Sequence, residues 1–377
     1  MRVALVSLGD PRDVKVWSGI PHSILVELES HAGHVEVIAP LHRWFKYMYA
    51  PERLLNRLRG KAFNIDRHPL ALKSYARQIK RRLRGQAFDM IFSTSSVPIA
   101  ALETSVPILY WTDAVLDEMI GYYPAFGTFT PRELAVGHRQ EQAAIDRATY
   151  AVYASDWALE SVSRRYERTD GKLVLAHFGA NLSMQHDRSA VERMIENRLN
   201  RPLNLLFLGV DWERKGGPIA WEAVRQLNEQ GIPAVLRVAG CDAPTAAFVE
   251  NLGFISKATT EGKERLRELL TEATVLLFPT RAEAAGCVFA EASAFGLPIV
   301  STDTGGVSNY VVSGVNGFMM PLSAGAEEYV ASIRRLIENE ELYRALSLGG
   351  FERYKSCLNW TASVKKLLQL VSAGNAE

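Results

Sequence analysis

Two glutamates, Glu283 and Glu291, stand with seven residues between them in RAEAAGCVFAEASAFGLPIV, among small and apolar neighbours. An ionised carboxylate only accepts hydrogen bonds and can take two hydroxyl donors, which suits the vicinal diols of sugars. A nucleotide sugar carries two such sets, on its ribose and on its hexose. The run TVLLFPT at 274–280 reads as a strand, and a helix from Cys287 to Phe295 is expected after the small-residue turn that ends at Gly286. First-turn N–H groups lack intrahelical partners and the helix dipole favours negative charge there, so Gly286, Cys287 and Val288 form a candidate phosphate seat. Glu283 then lies in the loop before the seat and Glu291 about one turn into the helix. The plain alternative is that one carboxylate caps the helix and the other faces water.

A diphosphate also calls for cations. LFLGVDWERKGGP at 206–218 supplies Arg214 and Lys215 between a strand and a helix started by proline. Lysine meets phosphate oxygens as a point charge and arginine as a planar fork. A third loop, TDTGGVSN at 302–309, includes Gly305, and its paired glycines let backbone N–H groups approach a ligand. Each loop by itself is ordinary structural material. All three follow strands of the same half of the chain, and strand carboxyl ends are where open α/β sheets bind ligands.

The elements that must position these loops are legible from alternation of short β-branched runs with longer stretches of helical period, the pattern of parallel sheets covered by helices. Strands are expected at 2–8, 34–40, 89–94, 107–111 and 150–155, then at 203–209, 234–240, 274–280 and 298–303, with helices at Pro21–His31 and Pro131–Arg147 among those between. A polar stretch from Gln185 to Arg201 interrupts the alternation and reads as a linker. The expected organisation is α/β: a first doubly wound, Rossmann-like domain over 1–185, a second over 200–355, the two facing across a cleft, and a C-terminal helix over 356–377 crossing back to the first.

With 377 residues, 43 basic and 42 acidic, the chain is long enough for two cores and carries no charge excess that would favour a nucleic acid. Cys241, Cys287 and Cys357 are widely spaced, which fits neither a zinc site nor a disulfide framework and favours a cytoplasmic setting. The opening MRVALVSLGD reads as a strand rather than a leader, and no run approaches the roughly 18 apolar residues of a membrane span. Two basic stretches, 42–61 with interleaved aromatics and 73–85, suit either solvated helix faces or peripheral contact with an anionic membrane or a lipid-linked acceptor.

The run from Phe278 to Phe318, with the two glutamates, Ala-Phe-Gly-Leu-Pro at 294–298, the Gly-Gly loop and Asn-Gly-Phe at 316–318, resembles the donor-binding signature of the retaining glycosyltransferases of family 4, which have the two-domain GT-B fold. WERKGG at 212–217 and HFGAN at 177–181 extend the resemblance. It implies that Glu283 contacts the transferred sugar, that Glu291 holds the nucleotide ribose, and that Lys215 with an arginine neutralises the diphosphate. Many members carry that arginine directly after the glycine corresponding to Gly209. Val210 stands there in this chain, so the role passes to Arg214. The resemblance also places Gly209 and Gly305 in the donor site. Ser18 and Gly19, in the first loop, approach the donor from the first domain, where the acceptor binds. Where many members have a histidine this chain has Thr112 and Asp113. Asp113 either orients the acceptor or sugar or caps a helix. His22 and His177 read as structural, and backbone groups near Gly253–Lys257 are candidates for holding the base.

The expected activity is transfer of a sugar from a nucleoside diphosphate sugar to an acceptor hydroxyl in glycan, glycolipid or polysaccharide synthesis, with retention and with no metal or other cofactor. The rival readings are an epimerase or hydrolase of the same architecture, or a sensor that binds a sugar nucleotide without turnover.

Overall fold

The computed structural model describes residues 1–182, 186–199 and 202–374, which form two compact units, Met1–Ala176 together with the segment from Val364 onward, and His177–Ser363.

In the first unit six parallel strands, β1 (Arg2–Val6), β2 (His34–Ile38), β3 (Met90–Ser93), β4 (Ile108–Thr112), β5 (Tyr150–Tyr153) and β6 (Leu173–Leu175), lie in the order β2-β1-β3-β4-β5-β6. Val3 pairs with Val35 on one side and Met90 on the other, so β1 is central and buried from Val3 to Val6, as its continuous apolar run requires. Helices α1 (Ile20–His31), α2 (Ala50–Leu58), α3 (Pro69–Leu83), α4 (Leu116–Met119), α5 (Pro131–Arg147) and α6 (Asp156–Arg165) connect the strands. Proline occupies the first or second position of α1, α2, α3 and α5, where a missing N–H costs nothing. Thr130 Oγ1 caps α5 by accepting from Glu133 N at 3.2 Å.

The second unit begins with α7 (Arg188–Leu199) and continues with β7 (Leu203–Leu208), α8 (Gly217–Glu229), β8 (Ala234–Ala239), β9 (Val249–Asn251), α9 (Thr260–Glu272), β10 (Val275–Phe278), α10 (Cys287–Ala294), β11 (Ile299–Thr302), α11 (Val307–Tyr310), β12 (Gly317–Met320), α12 (Ala326–Ile337) and α13 (Glu340–Ser356). Its parallel sheet runs β12-β11-β10-β7-β8-β9. The strands that carry the candidate loops, β7, β10 and β11, are adjacent and central.

The final helix, α14 (Trp360–Gly374), starts in the second unit, where the Trp360 ring stacks on Phe178 and its Nε1 donates to Asn181 Oδ1 at 3.1 Å. It ends in the first unit, where Lys366 Nζ donates to Leu175 O at 2.8 Å.

The stretch expected as a linker is corrected by α7. Val191, Ile195 and Arg198 share one face of that helix and are buried. Arg198, 1% exposed, donates to Leu270 O at 2.7 Å, Gly296 O at 2.8 Å, Thr271 O at 2.9 Å and Phe295 O at 3.0 Å. One guanidinium thus satisfies orphan carbonyls at the carboxyl ends of both α9 and α10. The division between the units falls instead at Ala176–His177, and the Gln185 and Arg201 ends of the expected linker lie outside the described residues.

Candidate functional site

Glu283 follows β10 and is 9% exposed, while Glu291 lies in the second turn of α10 and is 1% exposed. Neither faces water, so the solvent-facing alternative fails for both. Each carboxylate is joined to a lysine from another loop: Glu283 Oε2 to Lys215 Nζ, and Glu291 Oε1 to Lys257 Nζ. Lys215 also lies over the Phe278 ring, 5.2 Å from its centroid. Between the two carboxylates the N-terminus of α10 begins at Gly286 with no side-chain cap, while its carboxyl end is covered by Arg198. The positive end of the helix dipole therefore lies beside Glu283.

The loop after β7 is locked to the loop after β10. Arg281 N donates to Arg214 O at 2.8 Å, and Arg214 Nη1 donates to Ala282 O at 3.1 Å. Arg214 also meets Asp211, with Nε 3.2 Å from Oδ2. The arginine assigned to phosphate is thus partly committed to bracing the turn that carries Glu283. Gly216 caps α8 with φ +76°, and a Cβ there would lie 1.9 Å from Pro279 O. Only glycine permits both that conformation and that approach, which accounts for its place in WERKGG. At Gly286 a Cβ would sit 2.6 Å from the Phe289 ring and 3.3 Å from Glu283 Cγ, so a larger residue would have to shift the ring that packs beside the carboxylate.

The third loop joins the same constellation: Gly306 N donates to Glu283 O at 3.0 Å, and Gly305 holds φ +55°. Gly209 follows β7 directly, and a Cβ on it would lie 3.0 Å from Lys215 Cγ. The structure thus brings together Gly209, Arg214, Lys215, Glu283, Gly286, Cys287, Val288, Glu291 and Gly305 at one end of the second sheet. The Lys257 side chain, beyond the backbone role expected of Gly253–Lys257, is supplied to Glu291 by the fold. A lone lysine beyond a short edge strand carries no spacing signal, although a buried Glu291 implies some cation.

Ser18, Gly19 and Asp113 belong to the first unit, at the carboxyl ends of β1 and β4. Trp17, Ser18 and Gly19 all adopt positive φ, of 43°, 56° and 84°, and Gly19 caps α1. Two non-glycine residues in that region store strain of a kind concentrated at ligand-binding turns. The His22 Nδ1 is buried without a hydrogen-bond partner among the described residues. His177 packs against Tyr310, 5.6 Å between ring centroids, and its carbonyl accepts from Ser363 Oγ at 2.7 Å.

The two basic stretches fold differently. No residue of α2 is buried, and Tyr47, Met48, Leu54 and Leu58 are 73%, 64%, 57% and 77% exposed beside Arg53 and Arg57. On α3, Lys73, Arg77 and Lys80 line a cavity of about 530 Å³ together with Arg67, Arg139 and Arg147. Among the described residues no helix is long and apolar enough to cross a membrane.

Two parallel six-stranded sheets, each covered by helices, with the paired carboxylates at the strand ends of the second, define a protein of the GT-B fold. Sucrose-phosphate synthase from Thermosynechococcus elongatus has the same fold, with a TM-score of 0.70 over 100% of this chain and 99% of that one at 18% identity. Residues 191–353, most of the second unit, match the family described as glycosyl transferases group 1. The lipopolysaccharide glucosyltransferase WaaG of Escherichia coli K12 is 31% identical over 155 residues, 40% of this chain and 41% of WaaG. A D-inositol 3-phosphate glycosyltransferase of Nocardiopsis dassonvillei is 29% identical over 256 residues, 63% of this chain and 59% of that protein. The chain thus spans about two fifths to three fifths of the length of these curated relatives.

Proposed function

We propose that the protein is a retaining, metal-independent glycosyltransferase of family 4 type that moves a sugar from a nucleoside diphosphate donor to an acceptor hydroxyl. One observation carries this reading: two buried carboxylates, each paired with a lysine from a different loop, flank the helix N-terminus that follows β10. The spacing suits a ligand with a diol, a diphosphate and a second diol.

In the proposed reaction the bond between the anomeric carbon and the diphosphate oxygen breaks, a bond to the acceptor oxygen forms on the same face, and the acceptor proton is released. Negative charge grows on the leaving oxygens. Lys215, Arg214 and the first-turn amides of α10 stabilise it, a preorganised role that needs no metal ion. Glu283 holds the transferred sugar and Glu291 the ribose. Ser18 and Gly19 are assigned to the donor, and Asp113 to acceptor orientation, from their place at strand ends of the first unit. Anabaena HepE, solved in complex with UDP and sharing the fold at a TM-score of 0.67 and 13% identity, supports testing uridine donors first.

The exposed apolar face of α2, rimmed by Arg53 and Arg57, favours peripheral contact with an anionic membrane and a lipid-linked acceptor. The basic cavity beside α3 fits the same surface chemistry.

Incubation with UDP-, GDP- and ADP-sugars and candidate acceptors tests the activity. Equal amounts of nucleoside diphosphate and glycoside, with the donor's anomeric configuration kept and turnover unchanged by chelator, are expected. Nucleoside diphosphate without glycoside would mean a hydrolase, and binding without turnover a sensor.

A further inference from the structure

We infer that Lys257 is a positioning residue that sets the preference of the donor site for ribonucleotides over 2′-deoxyribonucleotides. The inference rests on the proposed role of Glu291 as the ribose ligand.

Glu291 is 1% exposed, and its Oε1 is held by the Lys257 ammonium. The lysine comes from a separate element, the segment between β9 and α9, whose base is fixed to the neighbouring strand end by Gly240 N donating to Gly253 O at 2.9 Å. Beyond the lysine the chain is pinned again: Ala258 N donates to Ser256 Oγ at 3.2 Å, and Gly262 N to Thr259 Oγ1 at 3.1 Å. The side chain therefore springs from a fixed backbone and is 35% exposed, running from the solvent edge to a buried carboxylate. Lys215 is engaged with Glu283, so the two glutamates do not share a cation.

A buried carboxylate is costly without a paired charge, and Lys257 supplies that charge from outside α10. It also fixes the plane of the carboxylate. With Oε1 engaged, Oε2 and the remaining lone pairs are what Glu291 offers to a ligand. Adjacent 2′- and 3′-hydroxyls can use two acceptor directions only if those directions are held still, and a 2′-deoxy sugar uses one. The part of the affinity that recognises the 2′-hydroxyl is therefore the part that Lys257 preorganises.

The test compares dissociation constants for whichever of UDP, GDP and ADP binds the wild type, and for its 2′-deoxy counterpart. Lys257→Met is expected to weaken the ribonucleotide about tenfold, roughly the worth of one charge-assisted hydrogen bond, and to leave the 2′-deoxy form within about twofold. Lys257→Arg restores most of the preference. A merely structural ion pair would weaken both ligands alike, and an unchanged ratio overturns the inference while leaving the donor reading intact. A wild type that binds none of the three nucleotides overturns both. If Lys257→Met does not fold, Lys257→Gln and Lys257→Arg carry the same comparison.

Discussion

Removing Lys215 tests the site through stability and binding at once. The Lys215 and Glu283 side chains are 12% and 11% exposed, so the pair is largely withdrawn from water. Breaking a buried ion pair from one side costs about 3–5 kcal/mol, and the slight exposure here puts Lys215→Met near 3 kcal/mol. Glu283→Gln keeps the side-chain shape and removes the charge, at about 2 kcal/mol because the lysine then loses its carboxylate. The double variant leaves no buried charge behind, so it should be more stable than the sum of the singles by about 2 kcal/mol. Hydrogen exchange of the α10 amides in rising urea reads this in the second unit. Nucleotide binding should not recover with stability. The diphosphate loses its cation in both Lys215→Met and the double variant, and each should bind the wild type's nucleoside diphosphate about tenfold or more weakly by calorimetry. Additive stability losses, or wild-type affinity in the double variant, would refute the assignment of Lys215 to both partners.

Three further outcomes follow from other parts of the chain. Arg198→Met strips four carbonyls of their donor and should cost the second unit about 4 kcal/mol, while Arg198→Lys recovers less than half because an ammonium cannot span the fork; thermal unfolding of the variants checks both. Burial pushes the Glu118 carboxyl up to about 8, with Asp117 and Glu160 adding to the rise against Ser161 and Arg164. The folded chain then holds a proton that the unfolded chain releases. This contribution is fully present below the ordinary carboxylate range and is lost as pH rises through about 8, and Glu118→Gln should flatten that stretch of the stability profile in urea titrations. Leu54→Ser with Leu58→Ser should abolish co-sedimentation with phosphatidylglycerol vesicles and leave the thermal midpoint unchanged, since neither side chain is packed.

Much of this architecture was legible in the sequence because parallel strands buried on both faces are written as continuous apolar runs. The nine strands expected from such runs agree with the observed bounds within one or two residues. Among the described residues the three further strands, β6, β9 and β12, are edge strands of three or four residues, and apart from Gly317 and Phe318 their side chains are half-buried or exposed. The α7 helix was hidden by Arg198, which reads as surface charge but serves as a buried cap for two other helices. Within the site, the loops of the second unit were legible because glycines and carboxylates must sit at particular strand ends. The partners of the glutamates were legible only in part: Lys215 adjoins a motif, whereas Lys257 is brought to Glu291 by the fold alone. The strained turn at Trp17 and Ser18 left no sequence signal, because neither residue favours positive φ.

The central claim is that Glu283 and Glu291 divide a sugar nucleotide between them. The most direct measurement is calorimetric titration of wild type, Glu283→Ala and Glu291→Ala with the preferred sugar nucleotide and with its bare nucleoside diphosphate. Glu291→Ala is predicted to weaken both ligands alike, and Glu283→Ala to weaken the sugar nucleotide while binding the bare diphosphate as the wild type does. Equal loss of both ligands in Glu283→Ala, or unchanged binding in Glu291→Ala, would contradict the account.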